Sequence, residues 1–290
     1  MNTRGIGEGI FQSINIAALA FLAPLTCFPF YYVVIVSFTD PAEPLAKKWV
    51  LFPEHFSLAS YEYLLRTKAF LRSVGNSAFL AVVGTACSLT VTSGLAYALS
   101  RRRMRGRRVL LLMILLTPLF SPGIIPHYML VRQTGLIGSI WALILPALAS
   151  GWNVILMKGF FSDLPAELDE SAAIDGSGDI RTWITIILPL SLPAIAAFGL
   201  FEAVGFWNQF FSALLYLNDS AKWPIQVLLQ NMLLNASNTD LQAYDVSQRP
   251  PPSEMLKMAA VVIATVPILV VYPFLQKHFA QGAMVGSIKA

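Results

Sequence analysis

Long apolar segments alternate with short polar ones along most of this chain, and that pattern predicts membrane-spanning helices. A helix needs about 20 apolar residues to cross the roughly 30 Å hydrocarbon core of a bilayer. Six segments meet this requirement, so we predict an all-α membrane protein in which residues 1–290 form a single domain. The predicted spans are residues 12–38, 74–99, 109–131, 138–158, 190–217 and 257–276.

Proline interrupts the third predicted span at positions 118, 122 and 126. Because proline removes a helical hydrogen bond and clashes with the preceding turn, we expect kinks or an unwound stretch there. The first apolar run is too long for the core of a signal peptide, and we expect it to be a retained span.

The second predicted span carries a stripe of small residues. Such residues allow helix backbones to approach closely in lipid. The stripe has two interpretations, a tight contact that shifts during gating or ordinary bundle packing. Its members recur every four residues and are Gly84, Ser88, Thr92, Ala96 and Ser100.

Composition strengthens the membrane interpretation and excludes several other classes. Only 12% of residues are charged, about half the fraction typical of soluble domains. Cys27 and Cys87 lie inside apolar runs, which argues against a disulfide framework or a cysteine metal site. His55, His127 and His278 are too scattered to form a metal set. No catalytic cluster is recognisable, so we predict that the chain is not an enzyme.

Basic residues predict the orientation of the spans. The loop "RRRMRGRR" at 101–108 holds six arginines in eight positions, and we place it in the cytoplasm. Both termini then lie inside, and loops 39–73, 132–137 and 218–256 lie outside. Lysines and arginines in loop 39–73 conflict with this orientation, but the arginine loop is denser and decides. In so short a loop these arginines indicate topology and lipid headgroups rather than nucleic acid.

The acidic segment "ELDESAAIDGSGDIRTWITIILP", residues 167–189, separates the fourth and fifth predicted spans. Ser162 and Asp163 predict a helix start, because their side-chain oxygens accept from free backbone N–H groups. Gly176 predicts its end in a left-handed conformation. A second helix is expected from about 179 to 188, with Pro189 introducing the fifth span. The resulting helix–turn–helix suits insertion into a groove of another protein, or packing on its own bundle.

This segment resembles the EAA loop of permease subunits from bacterial ABC importers. The family pattern is E-A-A, three residues, G, nine residues and then I-x-L-P. The chain has Glu170-Ser171-Ala172, then Gly176, then the run Ile186-Ile187-Leu188-Pro189, so every spacing fits. The single departure is Ser171 in place of the first alanine.

Further stretches resemble the maltose-type, carbohydrate-importing branch of that family. They are "SVGNSAFLAVVGT" in the second span, "GFWNQFFSALLYL" in the fifth and the tail "VYPFLQKHFAQGAMVGSIKA", which ends in the pattern Gly282, Gly286, Lys289. The tail and the proline-rich loop before the last span look most like permeases for oligosaccharides released from polysaccharides, alginate- or pectin-type among them.

The resemblance implies a type I ABC importer permease bundle of six transmembrane helices in the bacterial inner membrane, with a cytoplasmic coupling helix at about 165–176. It implies three partners: a second, homologous permease subunit, a dimeric ATPase and an extracytoplasmic solute-binding protein that delivers a sugar. ATP and Mg²⁺ would bind the ATPase, since this chain has no G-x-x-x-x-G-K-[ST] phosphate loop.

The resemblance also assigns residues to the contact with the ATPase. The tail residues Gly282, Gly286 and Lys289 are expected to contact it too. Outer aromatics such as Tyr61, Tyr63 and Trp223 suit either docking of the binding protein or anchoring at the membrane interface. The expected coupling residues are Glu170, Ser171, Ala172, Ala173, Asp175, Gly176, Ile186, Leu188 and Pro189.

Glu202 is the one ionisable residue deep in a predicted span, and such residues are functional by default. Glu202, Phe206 and Gln209 are expected to share a helix face. Aromatic rings and amides suit a sugar pathway, but the same side chains also cement helix contacts. The alternative function is a self-sufficient, proton-coupled secondary transporter that uses Glu202. The candidate pathway residues are Trp152, Asn153, Glu202, Phe206, Trp207, Asn208 and Gln209.

Overall fold

The computed structural model describes residues 6–40, 51–120, 122–234 and 253–287. Within these ranges the regular structure is almost entirely helical, as the apolar pattern predicts, and the one exception is an isolated bridge between Thr39 and Phe56. The α-helices are α1 (Ile6–Ser37), α2 (Ala59–Arg66), α3 (Lys68–Phe79), α4 (Thr85–Ser100), α5 (Arg107–Leu116), α6 (Ile124–Gln133), α7 (Gly151–Ser162), α8 (Glu167–Ile174), α9 (Asp179–Thr182), α10 (Leu188–Leu190), α11 (Leu192–Trp207), α12 (Phe211–Tyr216), α13 (Ile225–Leu234) and α14 (Ser253–Ser287).

Three continuous helical stretches are long and apolar enough to cross a membrane by length and composition. They are Phe11–Ser37, Lys68–Ser100 and Glu254–Val271, and they correspond to the first, second and sixth predicted spans. Two bent pairs raise the number to five when each pair counts as one span. These pairs correspond to the fourth and fifth predicted spans, so among the described residues the count of six stays a prediction.

The third predicted span is divided into two ten-residue helices, α5 and α6. The break lies between them, at residues 117–123, where the sequence has Pro118 and Pro122. Gly123 closes the break with a φ of 81°, a conformation that costs glycine little because it has no Cβ. The expected interruption is therefore present, while Pro126 lies inside α6.

The fifth predicted span begins and ends elsewhere than expected. It consists of two helical parts, Asp179–Leu190 and Leu192–Trp207, and the angle between their axes is 86°. The bend falls at Ser191 rather than at Pro189, because Pro193 lacks the N–H that would otherwise donate to the carbonyl of Pro189 and continue the helix through Ser191. The span 190–217 was also predicted as one helix, but α11 ends at Trp207 and α12 begins at Phe211.

The small residues of the second span lie in the most closely packed part of the bundle. All five members of the stripe are buried. Four of them lie in α4, which packs mainly against α7 and α11, while Gly84 ends the π-helical stretch Leu80–Gly84, which packs against α11. A Cβ placed on Gly84 would lie 2.8 Å from the ring of Phe206, so this position has room only for glycine. The stripe therefore lies in a close helix contact, which both of its interpretations require.

The chain divides into two compact units. The first contains residues 1–68 and 231–265, and Ser37 and Tyr61 are joined there by a 2.6 Å hydrogen bond. The second contains residues 69–230 and 266–290 and has two apolar cores. One core includes Leu143 and Phe206. The other joins Tyr97 of α4 to Phe161 of α7 and to Ile187, and it lies beside the candidate site.

Candidate functional site

The acidic segment forms the predicted helix–turn–helix, but its first helix starts later than expected. Ser162 is the last residue of α7, and its hydroxyl donates to the carbonyl of Lys158 at 2.9 Å. Asp163 caps the C-terminal end of the same helix. These two residues were predicted to start the coupling helix, and that assignment is wrong because α7 extends through Ser162 and a turn follows. The helix itself, α8, begins at Glu167.

Gly176 ends α8 in the left-handed conformation that the sequence predicts, with a φ of 73°. The N–H of Gly176 donates to the carbonyl of Ala173 at 3.1 Å, and the N–H of Ser177 to that of Ala172 at 2.8 Å. These two bonds satisfy carbonyls that the end of the helix would otherwise leave free. Gly178 then precedes α9 with an ordinary extended backbone. The turn thus depends on one glycine, Gly176.

The predicted coupling residues at the start of the motif face away from the bundle. Ala172 is the single buried residue of α8. The flanking Glu170, Ser171, Ala173 and Asp175 are exposed. The apolar side chain of Ile174 at the helix end is 86% exposed, the highest value among the large apolar residues whose exposure the structure describes. The surface of α8 thus combines carboxylates, small residues and one exposed apolar side chain.

The end of the motif is packed more closely than its start, with Ile186 and Leu188 half-buried, although Pro189 is exposed. A π-helical stretch, Trp183–Ile187, connects α9 to α10. Ile187 is fully buried, and Ile186 packs beside it against the core around Tyr97. Leu188 and Pro189 lie in α10. The motif therefore runs from an exposed helix into the bundle, and it connects the two physically.

Two ion pairs join this segment to the arginine loop at 101–108. Arg101 donates through Nη1 to Oδ2 of Asp169, and Arg103 donates through Nη2 to Oδ1 of Asp179. The first pair is sheltered, with side chains 14% and 16% exposed, whereas those of the second are 60% and 65% exposed. Burial lowers the pKa of Arg101, but the guanidinium remains protonated at neutral pH. The first pair is therefore a charged contact shielded from solvent.

Tyr97 contacts both members of the sheltered pair, Arg101 and Asp169. The guanidinium carbon of Arg101 lies 4.5 Å from the centroid of the Tyr97 ring, within range of a cation–π interaction. The Tyr97 hydroxyl donates to Oδ1 of Asp169 at 3.5 Å. A cavity of about 510 Å³ lies nearby, with Arg101, Arg103, Asp179 and Trp183 in its wall. Polar contacts around this cavity thus connect α4 with α8 and α9.

Sequence reasoning missed these two pairs. The arginines were assigned to topology and lipid headgroups, and no partner within the chain was predicted for them. A signal was available, because an arginine-rich loop and a carboxylate-rich loop were predicted on the same side of the bundle. Which arginine meets which aspartate depends on the packing of α4 against α7, and spacing along the chain does not reveal that.

The predicted C-terminal contact falls partly in the last helix and partly outside the described residues. Gly282 and Gly286 belong to the helix α14. Lys289 lies outside the described residues. Among the outer aromatics, Tyr61 is bonded to Ser37, and the indole N–H of Trp223 donates to the carbonyl of Leu217 at 3.1 Å. Both therefore have structural partners within the chain.

A second polar site joins the predicted pathway residues Asn153 and Glu202. The side-chain amide of Asn153 on α7 donates to Oε1 of Glu202 on α11 at 2.6 Å. Both side chains are half-buried. Trp152, the neighbour of Asn153, is 61% exposed. We call Asn153 and Glu202, together with Trp152 as the chain neighbour of Asn153, the Glu202 cluster. Its carboxylate and amide are in contact, and the exposed indole is adjacent to them in sequence.

The other predicted pathway residues lie elsewhere. Glu202, Phe206 and Gln209 were predicted to share a helix face, but α11 ends at Trp207, so Gln209 is not part of it. Phe206 and Trp207 are buried. The side chain of Gln209 donates to the carbonyl of Leu143 at 2.9 Å, and that of Asn208 accepts from Gln226 at 3.0 Å. The structure thus brings two of the seven candidates, Asn153 and Glu202, into contact and separates the rest.

Comparisons with known proteins give one consistent family. Residues 89–285 match the family described as "Binding-protein-dependent transport system inner membrane component". The chain is similar to protein LplC of Bacillus subtilis, with 46% identity across 97% of this chain and 95% of that protein. It is also similar to the polygalacturonan/rhamnogalacturonan transport system permease protein YtcP of the same organism, with 45% identity across 97% of this chain and 98% of YtcP.

Among solved structures, the chain is similar to a subunit in the crystal structure of a bacterial ABC transporter involved in the import of the acidic polysaccharide alginate. The TM-score is 0.88 and the identity 29%, over 96% of this chain and 100% of that one.

Proposed function

Because the chain belongs to the family of binding-protein-dependent transport system inner membrane components, we propose that it is the permease subunit of an ATP-driven importer of sugars or oligosaccharides. The observation that carries this function is the near-full-length similarity to a permease that transports polygalacturonan and rhamnogalacturonan. The chain is a transport subunit and not an enzyme. ATP hydrolysis belongs to a separate ATPase partner.

The cargo we propose is an oligosaccharide released from an acidic polysaccharide. Two matches support this class, since YtcP is named for polygalacturonan and rhamnogalacturonan and the structural neighbour imports alginate. The Glu202 cluster supplies an amide and an aromatic face for sugar hydroxyls and rings. It supplies no cation, so the positive charges that would balance uronate groups must come from the second permease subunit.

The ATPase contact we propose is the exposed surface of α8. Glu170 and Asp175 supply carboxylates there, and the exposed Ile174 supplies an apolar contact. A partner groove would cover this side chain, whereas the chain itself leaves it open. ATP-driven movement of the partner would then displace α8, and the bundle would switch between two packed arrangements. The tail residues Gly282, Gly286 and Lys289 are a second candidate contact.

The orientation we propose places this surface in the cytoplasm, with six spans and both termini inside. The ion pairs support it, because Arg101–Asp169 and Arg103–Asp179 require the arginine loop and the acidic segment to lie at the same end of the bundle. The dense arginine loop is the strongest topological signal in the sequence. The outer loops would then receive the solute-binding protein, on which the family depends by its description.

Sidedness can be tested with two exposed apolar residues as a matched pair. Ile174 is 86% exposed and Phe52, in the predicted outer loop, is 79% exposed. Each is replaced by cysteine in a chain that lacks Cys27 and Cys87. A membrane-impermeant thiol reagent should label Phe52→Cys in intact cells and Ile174→Cys only in inverted vesicles. The reverse pattern would exclude the proposed ATPase contact.

Reconstitution tests the function itself. Proteoliposomes that contain this chain, a second permease and the ATPase should take up oligosaccharide only with ATP and the binding protein. The chain alone should neither transport nor bind nucleotide. Uptake by the purified single chain under a proton gradient would instead establish the alternative, a secondary transporter that uses Glu202.

A further inference from the structure

The helix α8 is held to the rest of the protein by unusually few contacts. One of its eight residues, Ala172, is buried. It packs extensively against none of the other described helices. A helix that transmits a displacement needs a firm attachment, because a loosely held one would move without moving its neighbours. If α8 transmits a displacement, the few side chains that attach it to the bundle must carry that displacement.

Asp169 provides that attachment, since it faces the bundle while the neighbouring Glu170 is exposed. Both of its carboxylate oxygens are engaged by the end of α4. Arg101 donates to Oδ2, and the Tyr97 hydroxyl donates to Oδ1 at 3.5 Å. The contact with Arg101 holds the position of the carboxylate, and the longer, weaker contact with Tyr97 favours one direction for it.

The donors themselves are rigidly placed. Tyr97 is 5% exposed and belongs to the core that contains Met157, Phe161 and Ile187. The Arg101 guanidinium lies over the Tyr97 ring and is largely shielded from solvent. The planar guanidinium suits this combination of stacking and directed hydrogen bonding. Asp169 is thus attached to a part of α4 that cannot shift without disturbing the core.

The second ion pair differs from the first in its exposure to solvent. Arg103 and Asp179 have the same chemistry, but their side chains are 60% and 65% exposed. Exposed pairs are screened by water and salt and constrain little, whereas loss of one partner from a sheltered pair leaves an uncompensated charge. Asp179 therefore serves as a matched control for Asp169 within the same chain.

We propose that Arg101 is a positioning residue that locks α8 onto the end of α4 through Asp169. Displacement of α8 then moves the helical stretch Lys68–Ser100 directly, in addition to the two chain connections through α7 and α9. Since α4 packs against α7 and α11, this contact passes the movement to the centre of the bundle. The transport part of the inference rests on the proposed function.

The attachment can be measured without any transport assay. Spin labels at Ile174→Cys on α8 and Thr90→Cys on α4, both exposed positions, report the distance between the helices in the full-length chain lacking Cys27 and Cys87. Asp169→Asn should broaden this distance distribution, and Asp179→Asn should leave it unchanged. Arg101→Lys keeps the charge but loses the planar stack, so it should broaden the distribution to an intermediate extent. Unchanged widths in both Asp169→Asn and Arg101→Lys would refute the lock.

The role in transport is measured in the reconstituted complex. Asp169→Asn should raise the ATP hydrolysed per sugar imported by about tenfold, because the sheltered pair is broken, while Asp179→Asn should stay within about twofold of the wild type. If Asp169→Asn broadens the distances but leaves this ratio unchanged, the contact does not transmit movement and the inference fails. A wild-type complex without ATP-driven uptake would instead refute the proposed function and leave the distance result intact.

Discussion

The acidic segment and the Glu202 cluster both depend on carboxylates, but they hold them in opposite ways. In the acidic segment Asp169 and Asp179 meet arginines at the end of the bundle. In the Glu202 cluster a half-buried carboxylate between two helices meets a neutral amide at 2.6 Å. In the first region, water can hydrogen-bond to the charged groups when an exposed ion pair is broken. The second lies within predicted spans, where water is scarce and a lost partner is not replaced.

This contrast predicts two kinds of variant. Changes in the acidic segment should leave the bundle folded and alter the transfer of energy from ATP. Changes among the spans should instead alter how much protein folds or how the cargo moves. Three experiments, ordered by their expected effect on uptake, test whether the division holds.

The largest effect is expected from Gly176→Leu. A side chain at a φ of 73° costs roughly 1–2 kcal/mol and redirects the turn after α8. Uptake should fall by more than about tenfold while the bundle stays folded and the ATPase stays active. The measurements are oligosaccharide uptake, ATP hydrolysis and the unfolding midpoint of the same purified complex.

The matched control is Gly178→Leu. Gly178 lies two residues further on and has a φ of −76°, with nothing within 4 Å of an added Cβ. Its replacement should leave uptake close to that of the wild type, and Gly176→Asn should retain much of it because asparagine tolerates the left-handed region. Normal uptake by Gly176→Leu would show that the turn does not matter for coupling.

A smaller loss of uptake, with a different cause, is expected from Gly84→Leu. The new side chain would enter the space of the Phe206 ring, 2.8 Å from the Cβ position. Overpacking of this kind costs roughly 1–3 kcal/mol, so the yield of folded protein should fall several-fold. Uptake per folded molecule, and ATP used per sugar, should change little.

Gly75→Leu is the control for this second experiment. Gly75 lies in the same helical stretch but is exposed, with nothing within 4 Å of an added Cβ. Leucine should be tolerated there, since it also favours a helix more than glycine does. Should Gly84→Leu fold normally and lose coupling instead, the division between the two regions would be wrong.

The sequence predicted those features that depend on residues close along the chain. Gly176 ends α8 as predicted because a left-handed turn is a local property of one glycine. The apolar pattern likewise predicted a helical protein. The ends of helices were less predictable, since Ser162 has the composition of a helix start but closes α7. The bend at Ser191 was not predicted, since Pro189 was expected to introduce the fifth span.

Contacts between distant residues could not be predicted in the same way. Arg101 and Asp169 are 68 positions apart, and Asn153 and Glu202 are 49 apart. Each pair meets because α4, α7 and α11 pack together, which is set by the small-residue stripe and by bulky partners such as Phe206. The sequence therefore indicated which residue types were available on each side of the membrane, but their pairing required the packed bundle.

The smallest effect is expected from Glu202→Gln, and this variant separates the two candidate functions most directly. Glutamine keeps an oxygen that accepts the hydrogen bond from Asn153 and removes only the charge, so uptake should stay within a few-fold of the wild type with unchanged ATP use per sugar. Asn153→Leu removes the donor instead and should destabilise the protein by about 1–3 kcal/mol, which lowers the unfolding midpoint by several degrees. A proton-coupled transporter would show the opposite order, because Glu202→Gln would abolish uptake while Asn153→Leu would merely weaken it. Measuring both variants under ATP and under a proton gradient therefore decides whether the carboxylate of Glu202 carries a proton or holds two helices together.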